Sequence, residues 1–301
     1  ESDLAEAEAA IIPPKPEKSE DAGPEQIDYV TQKLTYNPDG SITDQFGLTD
    51  TDGDGIVSID IAGEIFRGHM LVIWDPTRII IGKPDNYFGA GLTVAQMIDK
   101  YGAIGGINGG GFNDPGGNTD GGAPTSVVIS LGEYFNYYDG VVSEMCAIDS
   151  NGVLNYGYWT VEQMHELGFM NGTAFAGLLL QDWIMQPMDY QFMTAMYSRT
   201  GIGQRVDGAI VMVVIDGYQT HSAGCFGWDL ANIFMEYGCP LAYSMDGGAS
   251  SCMILYGQHL NVPCSMYSDR TLPNAWLIMP IDEVKPYSLP GAGNQEVSEN
   301  A

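Results

Sequence analysis

Apolar residues along this chain come in two rhythms, short unbroken runs and helical stripes, separated by glycine-rich polar stretches. The runs 71–74 and 79–81 flank Asp75, Pro76 and Thr77, whose Asp-Pro pair favours a turn, and so predict a β-hairpin. Further runs at 127–131, 209–215, 241–245, 251–255 and 275–281 predict strands. In 93–101 the residues Val94, Met97, Ile98 and Tyr101 recur at helical spacing, with Thr93 placed to cap the start and Gly102 to end it in the left-handed conformation. A second helix is expected from Thr160, which forms a capping-box pattern with Gln163, to Leu167 before Gly168. A third carries the stripe Leu230, Ile233, Phe234 and Tyr237 behind a cap at Asp229, with Gly238 as its stop. Strands dominate, which predicts the α+β class: a single domain with a mixed, largely antiparallel β-sheet and a few packed helices.

Composition sets the outer limits. The 301 residues are 45% hydrophobic and 11% aromatic, enough for one ordinary core. Residues 1–28 read as an acidic, Pro-rich spacer, 29–62 as an N-terminal extension, 63–282 as the folded domain and 283–301 as a flexible tail. The chain opens on Glu1 rather than Met, so the spacer is expected to follow a removed signal or a membrane tether upstream of residue 1. Acidic residues outnumber basic ones 39 to 11, a net charge of −28 that disfavours nucleic acid as a partner. Five cysteines have no CxxC pair and no histidine at ligand spacing, which speaks against zinc and leaves buried thiols and disulfides both open.

Candidate chemistry sits in the polar stretches. The segment 105–112, GGINGGGF, follows an apolar strand; its glycines let backbone N–H groups approach a ligand, and Asn108, Gly109 and Gly110 are candidate substrate contacts. No GK[ST] follows and no helix opens behind it, which excludes a P-loop and a dinucleotide fingerprint. Asp216 and Asp246 each stand at the end of an apolar strand before glycine, where a carboxylate is rigidly held yet open to a ligand. Asp246 opens the segment DGGASS, which adds Gly247, Gly248, Ser250 and Ser251. Two of the five arginines, Arg199 in RTGIG and Arg270 before Asn274, are candidate phosphate grips. Asp50, Asp52 and Asp54 with Gly55 match the start of a calcium loop, but position 12 is Ile61 where a bidentate Glu is needed. A structural calcium ion and a plain polar turn are both open there.

In this order, these segments resemble the phosphodiester glycosidase family over roughly 63–281. The carriers are the hairpin around Asp75 to Arg78, INGGGF at 107–112, SVVIS at 126–130, RTGIG at 199–203, VVIDGYQ at 213–219, the segment DLANIFMEYGC at 229–239, MDGGASS at 245–251 and DRTLPNAWLI at 269–278. The sequence departs from the family's pattern at Tyr218, where Arg often follows Asp-Gly, at Gly111, where a second aromatic is common, and at Ala249, where a third glycine is common. The resemblance implies hydrolysis of an α-linked sugar-1-phosphodiester, of the N-acetylglucosamine-1-phosphate type, in an extracellular or cell-envelope glycan or sugar-phosphate polymer, with no cofactor required. Under it, Arg199 and Arg270 with the 108–111 amides bind phosphate, and Asp216 or Asp246 stabilises the oxocarbenium-like state or activates water. Asn108, Ser250, Ser251 and Asn274 then bond sugar hydroxyls or the second carboxylate. Two rivals stand beside this reading: a non-catalytic cell-surface glycan-binding module, and a metal-dependent phosphodiesterase, which four scattered histidines disfavour.

Overall fold

The unbroken apolar run Ile210–Ile215 has no polar face because both of its faces are covered. It lies inside a seven-stranded antiparallel sheet ordered Ile184–Met185, Gly177–Gln181, Leu241–Met245, Arg199–Gln204, Ile210–Ile215, Arg67–Ile73 and Ile56–Ala62. The computed structural model describes residues 29–115, 117, 119–175, 177–265 and 269–292; the segment 1–28 and residues 293–301 lie outside them. One face of the large sheet packs on the helix Gly227–Glu236 through Val211, Val213, Leu230 and Phe234. The other face packs on two five-stranded sheets through Met212, Val214, Cys146, Ile107 and Trp276. Each smaller sheet is backed by its own helix, Val94–Tyr101 over Ile254 and Leu277, and Val161–Glu166 over Ile129 and Ala147.

The α+β expectation is borne out, with every described strand pair antiparallel and the strands divided among four sheets. Both capping boxes are present: Thr93 Oγ1 accepts from Gln96 N and Thr160 Oγ1 from Gln163 N, with each glutamine side chain accepting from the cap amide. Gly102 ends the first helix at φ 66°. The third helix starts earlier than expected, at Gly227, and Asp229 acts from inside it by accepting from Phe226 N at 2.9 Å.

The predicted hairpin at 71–81 does not form. Its first strand pairs within the large sheet, while its second, Ile79–Gly82, pairs with Ala275–Ile278 in a different sheet. A 3-10 turn at Pro76–Arg78 redirects the chain, and buried Arg78 fixes it by donating to the carbonyls of Met279 and Asp54. The first strand lies inside the large sheet, whereas the second forms an edge of its own sheet with Ile79, Ile80 and Ile81 still buried.

The extension is knitted into the domain. Its strand Ile56–Ala62 pairs along its whole length with Arg67–Ile73, and Asp44 forms a buried ion pair with Arg205 at 2.7 Å. From the segment read as the start of the tail, Val284 and Leu289 are buried, and Tyr287 N donates to Gln32 Oε1 at 2.8 Å. All five cysteines are free thiols.

Candidate active site

Strand direction gathers the candidates. The strands Ile210–Ile215 and Leu241–Met245 both run antiparallel to Arg199–Gln204 between them, so Asp216 and Asp246 leave the sheet at the same end. Two strand spacings, roughly 10 Å, separate their backbones. The strand Gly105–Asn108 of a smaller sheet delivers the glycine loop to this end, where Asp246 N donates to Gly109 O at 3.1 Å. Asn108 stitches the parts together: its Nδ2 donates to Asp246 O at 2.6 Å, and its Oδ1 accepts from Thr200 Oγ1 at 2.8 Å and Cys252 N at 3.1 Å. Asn108 is therefore a buried brace, and Ser251, 3.2 Å from Thr200 Oγ1, belongs to the same internal network.

The glycines are needed for closeness. A Cβ at Gly109 would overlap Asn274 Oδ1, and one at Gly110 would overlap Thr173 Oγ1 and lie 2.6 Å from the Ala174 carbonyl. Asn274 Oδ1 instead accepts from Gly110 N at 2.8 Å. Asn274 Nδ2 and Thr173 Oγ1, both buried, have no protein partner, so hydrogen-bonding capacity converges on Gly110 from two sides. Gly247 has its own close neighbour, since a Cβ there would lie 2.7 Å from Ser198 O, and Gly248 at φ 59° leads a 3-10 turn whose N–H donates to that same oxygen. Gly110→Ala is expected to push the loop away from Ala174, cost about 1–3 kcal/mol and lower turnover at least tenfold. Thermal melts and kinetics of the variant measure both effects.

Asp246 is the electrostatic centre. Desolvation pushes its carboxyl up to about 6, opposed by hydrogen bonds from Ser250 and Gly247 and by the charge of Arg270, and reinforced by Asp114. Arg270 Nη2 sits 2.8 Å from Asp114 Oδ2, with its guanidinium 5.2 Å from the centre of the Phe112 ring. Against a desolvation that raises it, Asp114 is held below the ordinary carboxylate range by its bonds from Arg270 and Thr119. Asp114 was not singled out from sequence; its place seven residues before Gly121 in a polar loop carries no periodic signal.

One sequence expectation needs correction. Arg199 faces the other side of the sheet from Thr200, because neighbouring side chains on a strand alternate. Its guanidinium lies 4.0 Å from the centre of the Phe192 ring and donates to the carbonyls of Phe192, Ala195 and Cys225, so it organises the loop before its own strand rather than gripping a ligand beside Asn108. Asp216 accepts from Val262 N through Oδ1 at 2.9 Å, and its Oδ2 lies 2.8 Å from His221 Nε2. Asp246 is the one of the two whose backbone N–H is bonded to the glycine loop, at Gly109 O.

The structure also bears on metals. Asp50, Asp52 and Asp54 can bring one oxygen each within 4.8 Å of the others. Asp50 is already the acceptor for the amides of Asp52, Gly53 and Gly55, while Ile61 at the twelfth position is buried in the core. Desolvation and its acidic neighbours push Asp52 up to about 6. Cys252, His259 and Asp269 form a second cluster that their spacing does not advertise. Its imidazole spans the other two, Nδ1 3.8 Å from Cys252 Sγ and Nε2 3.1 Å from Asp269 Oδ2, which is a bridge rather than a shared chelating point.

Residues 101–279 match the phosphodiester glycosidase family. The chain is 28% identical over 194 residues to the SPbeta prophage-derived uncharacterized protein YomE of Bacillus subtilis (strain 168), covering 60% of this chain and 29% of that protein. It is 29% identical over 86 residues to the N-acetylglucosamine-1-phosphodiester alpha-N-acetylglucosaminidase of Bos taurus, covering 29% of this chain and 15% of the enzyme. The chain thus spans less than a third of the length of either relative. Its fold is that of the zebrafish N-acetylglucosamine-1-phosphodiester alpha-N-acetylglucosaminidase catalytic domain auto-inhibited by pro-peptide, at a TM-score of 0.61 and 18% identity over 83% of this chain and 88% of that one.

Proposed function

The chain belongs to the phosphodiester glycosidase family, and from that premise we propose that it hydrolyses a sugar-1-phosphodiester of the α-N-acetylglucosamine-1-phosphate type, releasing free sugar and a phosphomonoester. The observation that carries this reading is a single desolvated carboxylate, Asp246, beside the cation Arg270 at the glycine loop. A glycosyl phosphate needs little leaving-group protonation, because the departing phosphomonoester is already a competent leaving group. What the reaction does need is a cation to hold the phosphate and an anion near the sugar carbon, where positive charge develops. Arg270 supplies the first, and Asp114 holds its guanidinium in place. Asp246 supplies the second and is the base for the attacking water.

We place the substrate in an extracellular or cell-envelope glycan or sugar-phosphate polymer. No described helix is long and apolar enough to cross a membrane. Neither residue requires a metal, so turnover is expected to persist in EDTA.

A base whose carboxyl titrates at about 6 is protonated and idle at pH 4–5. kcat/KM should therefore rise with pH, with an apparent pKa near 6, and level off above pH 7. Hydrolysis of a synthetic N-acetylglucosamine-1-phosphodiester in EDTA, followed from pH 4 to 9, tests this directly. Arg270→Ala is expected to cost at least 100-fold in kcat/KM for the diester. A wild type that binds glycans but turns over no sugar-1-phosphodiester would favour the binding-module reading instead.

A further inference from the structure

A cleft of about 300 Å³ opens beside the glycine loop, lined by Thr125, Ser126, Ser143, Glu144, Ala174 and Phe175, with Arg270 outside that lining. Its walls are tied to that loop by backbone bonds, Gly111 N to Ala174 O at 3.3 Å and Thr125 N to Gly111 O at 3.0 Å. Two residues back along the same segment, Gly109 O accepts from Asp246 N. The cleft and the reactive carboxylate are thus held by one stretch of backbone.

We propose that this cleft is the subsite for the pyranose ring, with Glu144 accepting hydrogen bonds from sugar O–H or N–H groups and Phe175 covering an apolar face of the ring. The proposal rests on the glycosidase reading above and adds the orientation of the substrate. Three independent features support it.

The first is charge. Glu144 puts an anion in the cleft, which repels phosphate, while Arg270, whose charge acts on Asp246, is not among the residues lining the cleft and draws phosphate outside it. A sugar phosphate is then favoured with its ring in the cleft and its phosphate toward Arg270.

The second is the hydrogen-bonding state of Glu144. Its Oε1 accepts from Tyr156 Oη at 3.0 Å, and Tyr156 Oη lies 3.2 Å from Tyr158 Oη. The hydroxyl of Tyr243 is bracketed by the backbone of Phe175, accepting from its N–H at 3.1 Å and donating to its carbonyl at 3.3 Å, which fixes the aromatic wall of the cleft. Desolvation pushes Tyr156 well above the ordinary phenol range, so it remains a donor and holds the carboxylate in position. A carboxylate has about four acceptor sites, and those not taken by Tyr156 suit groups that donate, as sugar hydroxyls and an acetamido N–H do.

The third is the aromatic wall. Phe175 is 42% exposed at the cleft. Its ring occupies the space where a Cβ on Gly111 would stand, so the missing side chain at Gly111 makes room for that ring. A cavity of this size lies at the lower end for small-molecule sites and suits one monosaccharide rather than an oligosaccharide.

The test separates this proposal from the glycosidase reading by using ligands that cannot react. Methyl α-pyranosides of N-acetylglucosamine, glucose and galactose are titrated into the whole chain by calorimetry, and the diester is assayed in parallel. Wild type, Glu144→Ala, Glu144→Gln and Phe175→Ala are compared, with thermal melts to establish that each is folded. At least one pyranoside should bind the wild type. Glu144→Ala and Phe175→Ala should each weaken that binding at least tenfold and raise KM for the diester at least as much, with Glu144→Gln intermediate. Inhibition by inorganic phosphate should be unchanged in Phe175→Ala. Folded variants that bind the sugar as wild type does overturn the subsite, even if the diester is hydrolysed. A wild type that binds none of the three pyranosides overturns it too. Loss of sugar binding in the variants of a wild type that hydrolyses no diester upholds the cleft and removes the glycosidase reading.

Discussion

Asp246→Asn is expected to lower kcat/KM for a sugar-1-phosphodiester by about 10³-fold or more while making the protein more stable at neutral pH. The two effects share one cause. In the folded chain the carboxyl is desolvated and titrates at about 6, against 3.8 for an unperturbed aspartate. Between those values the native state keeps a proton that the unfolded chain has released. The stabilisation this gives is full below about pH 4 and is lost as pH rises through 6. At pH 8 the ionised carboxylate costs roughly 2–3 kcal/mol. Asparagine removes the charge and can still accept from Ser250 and Gly247 through Oδ1. Melting curves should therefore show the variant more stable than wild type at pH 8 and nearly equal to it at pH 4. A variant destabilised at pH 8 would mean that Asp246 supports the fold rather than straining it for activity.

The second large effect lies far from the site. Arg205 is fully buried and paired with Asp207 through Nε and Nη2 at 2.8 and 2.7 Å, and with Asp44 at 2.7 Å. Asp44 also accepts from Trp74 Nε1 at 3.2 Å, and the guanidinium lies 4.2 Å from the centre of the Phe46 ring. Arg205→Met would leave two carboxylates buried without their cation, which should cost about 3–5 kcal/mol. Urea unfolding should show a lower midpoint with an unchanged slope. A fall in slope would mean instead that residues 29–55 detach from the sheet before the rest unfolds, because Asp44 is the extension's charged anchor to it.

Local signals carried far in this sequence where one side chain decides the structure. Thr93 with Gln96 and Thr160 with Gln163 form the capping boxes their spacing predicts, and Gly102 takes the left-handed conformation. The glycine loop, DGGASS and Asn274 are likewise found together, because each lies at the end of a strand whose apolar run is unmistakable, and Arg270 follows in the segment leading to Asn274.

Tertiary context decided the rest. RTGIGQ at 199–204 looks like a ligand loop, yet it is a central strand, and its glycines are there because a Cβ at Gly201 or Gly203 would lie 2.8 Å from the Phe234 ring. That is why Arg199 looked like a phosphate grip and is a brace. The strand Ser143–Asp149 mixes polar and apolar residues without clean alternation, so Glu144 and the tyrosines around it gave no signal. Cys252, His259 and Asp269 have no ligand spacing and are separated by the strands Met253–Leu255 and Gln258–His259, so only folding brings them together. The hairpin failed for a related reason: a turn signal says that the chain bends, and sheet membership is settled by what covers each face.

The central claim is that water attacks the sugar carbon and leaves the phosphorus untouched. Hydrolysis of the N-acetylglucosamine-1-phosphodiester in ¹⁸O-water, with the phosphomonoester examined by ³¹P NMR, tests it directly. Cleavage of the sugar C–O bond predicts a phosphomonoester free of ¹⁸O, formed far more slowly by Asp246→Asn. Label in the phosphomonoester would mean attack at phosphorus and would contradict the account.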